Sequence, residues 1–346
     1  MRTTLFCKNP YAFGILKPLY NELISRGMPV LWYVPKEIEH LFPFAGNIVK
    51  TNDIRKVAEF DNDVIIVPGN EVPHYLKGLK VQIFHGLAGE KKGHFRIRHY
   101  FDLYLTQGPY FTDRFKHLSR KFKDFDVIET GWPKLDDLFN NRIDFDSEKR
   151  SLLNEYKAEK IILYAPTFSP SLTSAIELKN EITKITANRN LVLIKFHDLM
   201  NPEIVEEYKE IEKNNPNIKI VNDNNITKYL ILSDLLISDT SSVVYEFLLL
   251  DKPVITLKSS SKHIRWMNIS DASQLIPAIN GTFTFDAYAE NRKWIINNYH
   301  PYTDGLSSQR IIDTLTSYLE THSVPEKREI SWFRKRKMVV LFGKIK

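Results

Sequence analysis

Short apolar runs rich in valine, isoleucine and leucine alternate along this chain with stretches of helical periodicity. The strand-like runs fall at 4–7, 30–34, 64–67, 81–84, 103–106 and 127–129, then at 161–165, 191–196, 218–221, 235–238 and 254–257. Between them the apolar residues recur at helical spacing. In 14–26, Leu16, Leu19, Leu23 and Ile24 define one face, and Gly27 follows as a natural C-cap. Further helices are predicted at 176–186, 202–213, 227–232 and 241–250. Strands that alternate with helices pair in parallel and are covered on both faces.

A length of 346 residues exceeds one ordinary domain and suits two. The polar, charged stretch 140–160 marks the seam. The strand pattern stops after Gly281, and helices are predicted at 287–299 and 307–320. The expected layout is an N-terminal Rossmann-like acceptor-side domain over 1–145 and a C-terminal Rossmann-like nucleotide-donor domain with closing helices over 146–322. A basic and apolar tail over 323–346 completes it. Two doubly wound α/β domains facing a cleft, with trailing helices, constitute the GT-B architecture. In open sheets of this kind ligands sit beyond the carboxyl ends of the strands, so the loops that follow strands are where chemistry is expected.

The net charge of +6 favours anionic partners in a general way, but no nucleic-acid-binding motif is present and none is expected as a partner. Cys7 is the single cysteine, so no disulfide framework or zinc site can be built. No carboxylate cluster suggests a metal, and no cofactor is expected. The opening apolar run is broken by Lys8, Asn9 and Pro10, unlike a secretory leader, and no apolar stretch is long enough to span a bilayer. The expected location is the cytoplasm. The segment 330–346 interleaves Trp332, Phe333 and Val339–Phe342 with Arg334, Lys335, Arg336 and Lys337, which suits the anionic inner face of a membrane.

Three loops carry candidate chemistry. The run 235–238 leads into Asp239-Thr240-Ser241-Ser242 and then an apolar helix containing Glu246. Hydroxyl donors and free backbone N–H groups at a helix start favour phosphate, although Asp239 or Thr240 could equally cap that helix. His85 and Gly86 follow the run 81–84, with Lys91 and Lys92 beyond them. A histidine at a strand's end is suited to proton transfer near neutrality, and glycine permits close approach. His197 ends the run 191–196, after Lys195 and before Asp198. For either histidine alone, a purely structural role is as good a reading as a chemical one. His94, His99, His74, His117, His263 and His300 lack strand-end context and read as surface or packing residues.

Taken in order, His85-Gly86, Thr130-Gly131-Trp132-Pro133-Lys134-Leu135-Asp136, Tyr164-Ala165-Pro166-Thr167, Lys195-Phe196-His197, Ser238–Ser242, Lys252-Pro253 and Asp304-Gly305 with Arg310 resemble the CDP-glycerol glycerophosphotransferase family. That family makes teichoic-acid-like polyol-phosphate polymers. The resemblance implies a catalytic base at His85, a second catalytic histidine at His197, and a donor-phosphate site at Ser238, Asp239, Thr240, Ser241 and Ser242. Gly86, Lys91, Lys92, Thr167, Lys195, Glu246 and Arg310 become possible substrate contacts. The implied reaction moves glycerol or ribitol phosphate from a CDP-alditol to a hydroxyl of a glycan or lipid-linked acceptor, releasing CMP. The sequence departs from the family where Asp198 replaces the usual proline and where Phe168-Ser169 replaces the frequent Trp-Arg. A GT-B glycosyltransferase using a nucleotide sugar in capsule, lipopolysaccharide or wall polymer synthesis, and a non-catalytic binder of a nucleotide or anionic polymer, are the alternatives.

Overall fold

The computed structural model describes residues 1–87, 93–140, 145–222, 226–261, 263–325 and 328–345. Met1–Phe139 and Tyr299–Lys346 form one compact unit, and Asn140–Asn298 form the other.

The first unit is built on β1 Thr3–Phe6, β2 Val30–Tyr33, β3 Lys50–Thr51, β4 Val64–Val67, β5 Leu79–Gln82, β6 Leu103–Thr106 and β7 Asp126–Glu129. Their spatial order is β3-β2-β1-β4-β5-β6-β7, with every pairing parallel. The strands β1, β2, β4, β5 and β6 are buried along their whole length, as a sheet covered on both faces requires. The order reverses between β1 and β4, where a crevice opens at the carboxyl ends.

The second unit carries β8 Lys160–Tyr164, β9 Asn190–Ile194, β10 Ile218–Ile220, β11 Leu235–Ser238, β12 Val254–Leu257 and β13 Met267–Ile269. These are again all parallel, in the order β10-β9-β8-β11-β12-β13. Its switch point lies between β8 and β11. The edge strands β3 and β13, two and three residues long, escape a search for apolar runs because each is too short and too little buried to present one.

The predicted helix at 14–26 is Ala12–Ser25, which buries Phe13, Leu16, Leu19 and Leu23. Ile24 does not share that face. It is 49% exposed, since one residue on a helix rotates about 100° from its neighbour. Gly27 adopts φ +67°, and the Met28 amide donates to the Leu23 carbonyl at 3.0 Å, closing the C-terminus as expected.

The closing helices divide differently from the expected boundary at 322. The helix Ser307–Thr321 belongs to the first unit and packs on Ala12–Ser25. The buried Asp136 carboxylate accepts from the Ser307 amide at 2.9 Å and the Ser308 amide at 2.7 Å, so it caps that helix. The basic and apolar tail over 323–346 contains the helix Trp332–Phe342, with Met338 fully buried against the core that holds Phe6, Tyr33 and Tyr100. A buried ion pair between Arg328 and Asp102 fixes its approach, with the guanidinium Nε 2.6 Å from the carboxylate.

His300 is wholly buried in this unit. Its Nε2 accepts from the Trp132 amide at 2.9 Å, and its ring stacks on Phe139. Burial, and then the Arg310 charge, push its pKa down to about 3. The unfolded chain takes a proton there below the ordinary value of about 6.5, and the folded chain refuses it. The stabilising contribution is therefore complete above that value and shrinks as pH falls toward the folded pKa. We expect His300 to remove about 2 kcal/mol of stability between pH 6.5 and pH 5. Thermal unfolding across that range should show the loss, and His300→Gln should flatten the slope. An unchanged slope in the variant would refute the assignment.

Candidate functional site

His85 stands just beyond the end of β5. That strand stops at Gln82, two residues before its predicted end, because Phe84 turns the chain at φ +62°. A bulky residue in the left-handed region is strained by roughly 1–3 kcal/mol and needs compensation. Phe84 is buried, stacks on His94 and packs at a tilt against Phe115, and these contacts supply it. The turn leaves His85 exposed, with Nδ1 3.2 Å from the Pro68 carbonyl. A carbonyl only accepts, so Nδ1 carries the proton and Nε2 is the basic nitrogen of the neutral ring. Tyr11 flanks the imidazole at a ring distance of 5.4 Å. The Gly86 carbonyl accepts from Gln107 Nε2 at 3.2 Å, and a side chain added at Gly86 would meet nothing within 4 Å. Lys91 and Lys92 lie outside the described residues.

His197 follows β9 in the second unit and is also exposed. Here the Leu199 amide donates to Nδ1 at 3.1 Å, which places the ring proton on Nε2. The Phe168 ring packs on the imidazole at 4.4 Å. The residue that departs from the family pattern therefore supports this histidine, and Asp198 is exposed beside it. Lys195 is half-buried, its ammonium donating to the Phe196 carbonyl at 3.0 Å. Lys195, Phe196 and His197 line a pocket of about 330 Å³ with Met200, Val221 and Asn222.

At the switch point of the second sheet, the five residues expected to hold phosphate separate into two groups. Ser238 and Asp239 are buried and bonded inward. Ser238 Oγ donates to the Ala165 carbonyl at 2.6 Å. Asp239 accepts from the Thr167 amide at 3.0 and 3.1 Å, and from the Ser174 amide and hydroxyl at 2.9 Å each. Burial pushes its carboxyl above the ordinary pKa, and these donors pull it back. Both residues clamp the β8 loop against the β11 loop and neither caps the helix. Thr240, Ser241 and Ser242 remain part-exposed. The following helix, Val243–Leu248, is shorter than predicted, and its N-cap Ser242 makes no side-chain capping bond.

Two further expectations change. Glu246, expected as a possible substrate contact, is buried within that short helix at 6% exposure. Arg310 donates to the Thr130 carbonyl at 2.9 Å and to Asp304 at 2.6 Å, and lies over the Tyr302 ring. It latches the Thr130–Asp136 loop to the returning chain. His94 is a packing residue among Phe84, Phe95 and Phe111. Sequence reasoning missed Tyr11 and the Pro68 carbonyl. The loops after β1 and β4, at the switch point, were the available signal. Among the described residues, no three His, Cys, Asp or Glu side chains gather as a metal site.

Two doubly wound parallel-sheet units of this kind define a GT-B-type fold. The solved structure of the wall teichoic acid polymerase TagF superposes with a TM-score of 0.65 at 19% identity, covering 92% of this chain and 89% of that one. The UDP complex of Staphylococcus aureus MnaA gives 0.67 at 13% identity, covering 94% of this chain and 100% of that one. A family model described as CDP-Glycerol:Poly(glycerophosphate) glycerophosphotransferase matches residues 25–262, and the chain belongs to that family. The teichoic acid glycerol-phosphate primase of Bacillus spizizenii is 32% identical over 152 residues, 40% of this chain and 37% of that protein. The ribitol-phosphate polymerase TarL of Staphylococcus aureus is 27% identical over 232 residues, 61% of this chain and 40% of that protein. The chain thus spans well under half the length of these two curated relatives.

Proposed function

We propose that this protein transfers a polyol phosphate from a CDP-alditol to a hydroxyl of a glycan or lipid-linked acceptor. The acceptor oxygen forms a bond to the alditol-linked phosphorus, the bond from that phosphorus to CMP breaks, and CMP leaves. His85 Nε2 takes the hydroxyl proton. His197, with its proton on Nε2, donates to the donor phosphates, and Thr240, Ser241 and Ser242 add hydroxyl donors. The observation that carries this reading is that a backbone carbonyl meets Nδ1 of His85 whereas a backbone amide meets Nδ1 of His197. The Pro68 carbonyl makes His85 a base, and the Leu199 amide makes His197 a donor. Family membership and the crystallographic use of CDPG with a histidine-to-asparagine variant of TagF support it.

The test is incubation of the protein with CDP-glycerol, CDP-ribitol and nucleotide sugars, with membrane extract as acceptor. CMP release from a CDP-alditol is expected. Nucleoside diphosphate released from a sugar nucleotide alone would replace the proposed chemistry with glycosyl transfer.

We further place the protein at an anionic membrane surface. No described helix is long and apolar enough to cross a membrane. The helix Trp332–Phe342 nevertheless leaves Trp332, Phe333 and Val340 62%, 78% and 77% exposed, with Lys335 and Arg336 among them. Two such side chains entering the interface support about a tenfold or greater gain in binding. Phe333→Ser/Val340→Ser is expected to lower co-sedimentation with anionic vesicles by at least about that factor. Unchanged co-sedimentation would exclude the contact.

A further inference from the structure

At the switch point of the first sheet, the ends of β1 and β4 and the C-terminal helix enclose a pocket of about 390 Å³. Among the described residues its walls carry Lys8, Arg96, Arg98, Arg334 and Lys337 against one carboxylate, Glu71. Glu71 pairs with both Lys8 and Lys337, so the three guanidinium groups face the pocket without an equal number of anions on its walls. Arg98 is half-buried, its Nη1 donating to Asn70 at 3.2 Å and to the Arg96 carbonyl at 3.0 Å. Burial and the adjacent Arg96 charge both pull its pKa below the ordinary value, as crowding of like charges does. Clustered cations held in a concavity cost stability unless an anion shares the site, and guanidinium forks match phosphate oxygens in pairs.

Tyr11 connects this pocket to the catalytic histidine. It lines the pocket wall, and its ring lies 5.4 Å from that of His85. An anion seated among the arginines is therefore a neighbour of the base on the same unit. Arg334 and Lys337 come from the C-terminal helix, which the core contacts of Met338 and the Tyr75 hydroxyl bond to the Gly343 carbonyl hold in place.

We propose that this pocket binds a phosphate of the acceptor and so presents the acceptor's hydroxyl to His85. The proposal rests on the polyol-phosphate-transfer reading, and it assigns these side chains to the acceptor's phosphate. The volume exceeds what one phosphate needs and leaves room for part of the attached alditol.

The test uses the full chain and Arg98→Gln/Arg334→Gln, with Lys213→Gln as an exposed charge-removal control. A synthetic glycerol-phosphate oligomer serves as soluble probe and acceptor. Removing two charge-assisted contacts is expected to raise the acceptor KM about tenfold or more. The donor KM and the kcat at saturating acceptor should stay within about twofold. Oligomer binding followed by calorimetry should weaken by the same factor, and Lys213→Gln should change neither. An unaltered acceptor KM and unaltered oligomer binding in a folded double variant would overturn the proposal. Oligomer binding that persists while binding to anionic vesicles is lost would also overturn it, because the pocket would then serve a lipid headgroup. The single variant Arg334→Gln, on the outer helix, repeats the measurement if the double variant unfolds. Failure of the wild-type protein to release CMP from any CDP-alditol would sink the functional reading alone, because the calorimetric arm tests the pocket without turnover.

Discussion

His85→Ala is expected to release CMP from a CDP-alditol roughly 10²–10⁴-fold more slowly than the unaltered protein, with its thermal midpoint unchanged. The first half follows from the position of Nε2. The Pro68 carbonyl beside Nδ1 holds the ring proton there, which leaves Nε2 as the nitrogen that would take the hydroxyl proton. The second half follows from exposure. The imidazole lies outside the core, and the buried residue that shapes this turn is Phe84. A fall in stability comparable to the fall in rate would mean that the ring serves packing. A folded variant with full activity would remove His85 from the mechanism.

The two histidines look alike in the sequence, since each ends a buried strand. They differ in the structure through groups no motif encodes, a backbone carbonyl in one case and a backbone amide in the other. The strands were legible because their side chains are buried on both faces, which forces continuous runs of Val, Ile and Leu. The loops that carry the candidate chemistry followed from that pattern, whereas the switch points depend on a strand order that it does not state. The return of Tyr299–Lys346 to the first unit was not legible. It depends on Asp136 meeting Ser307 and Ser308, and on Arg328 meeting Asp102, pairings between residues far apart in sequence. The C-terminal helix was obscured for a related reason. Its buried contacts are few, and Met338 alone is fully enclosed, so the composition reads as a basic and apolar tail suited to a membrane surface.

Asp239 illustrates the remaining gap, because a hydroxyl-rich turn does not state which of its side chains point inward. Asp239→Ala is expected to destabilise the protein by about 3–5 kcal/mol, lowering the unfolding midpoint of the second unit by about 10 °C. The carboxylate is the acceptor for the Thr167 amide, the Ser174 amide and the Ser174 hydroxyl. Its removal leaves these donors without an acceptor in a buried place, and each orphaned donor costs roughly 1–3 kcal/mol. Asp239→Asn should be intermediate, because one amide oxygen still accepts while the new NH2 faces a backbone N–H. Ser242→Ala provides the opposite case. Its hydroxyl makes no capping bond, so donor KM should rise while the midpoint stays put. If Asp239→Ala instead kept its midpoint and lost donor affinity, the carboxylate would be a donor contact after all. The paired result expected here separates the clamp, Ser238 and Asp239, from the hydroxyls it positions, Thr240, Ser241 and Ser242.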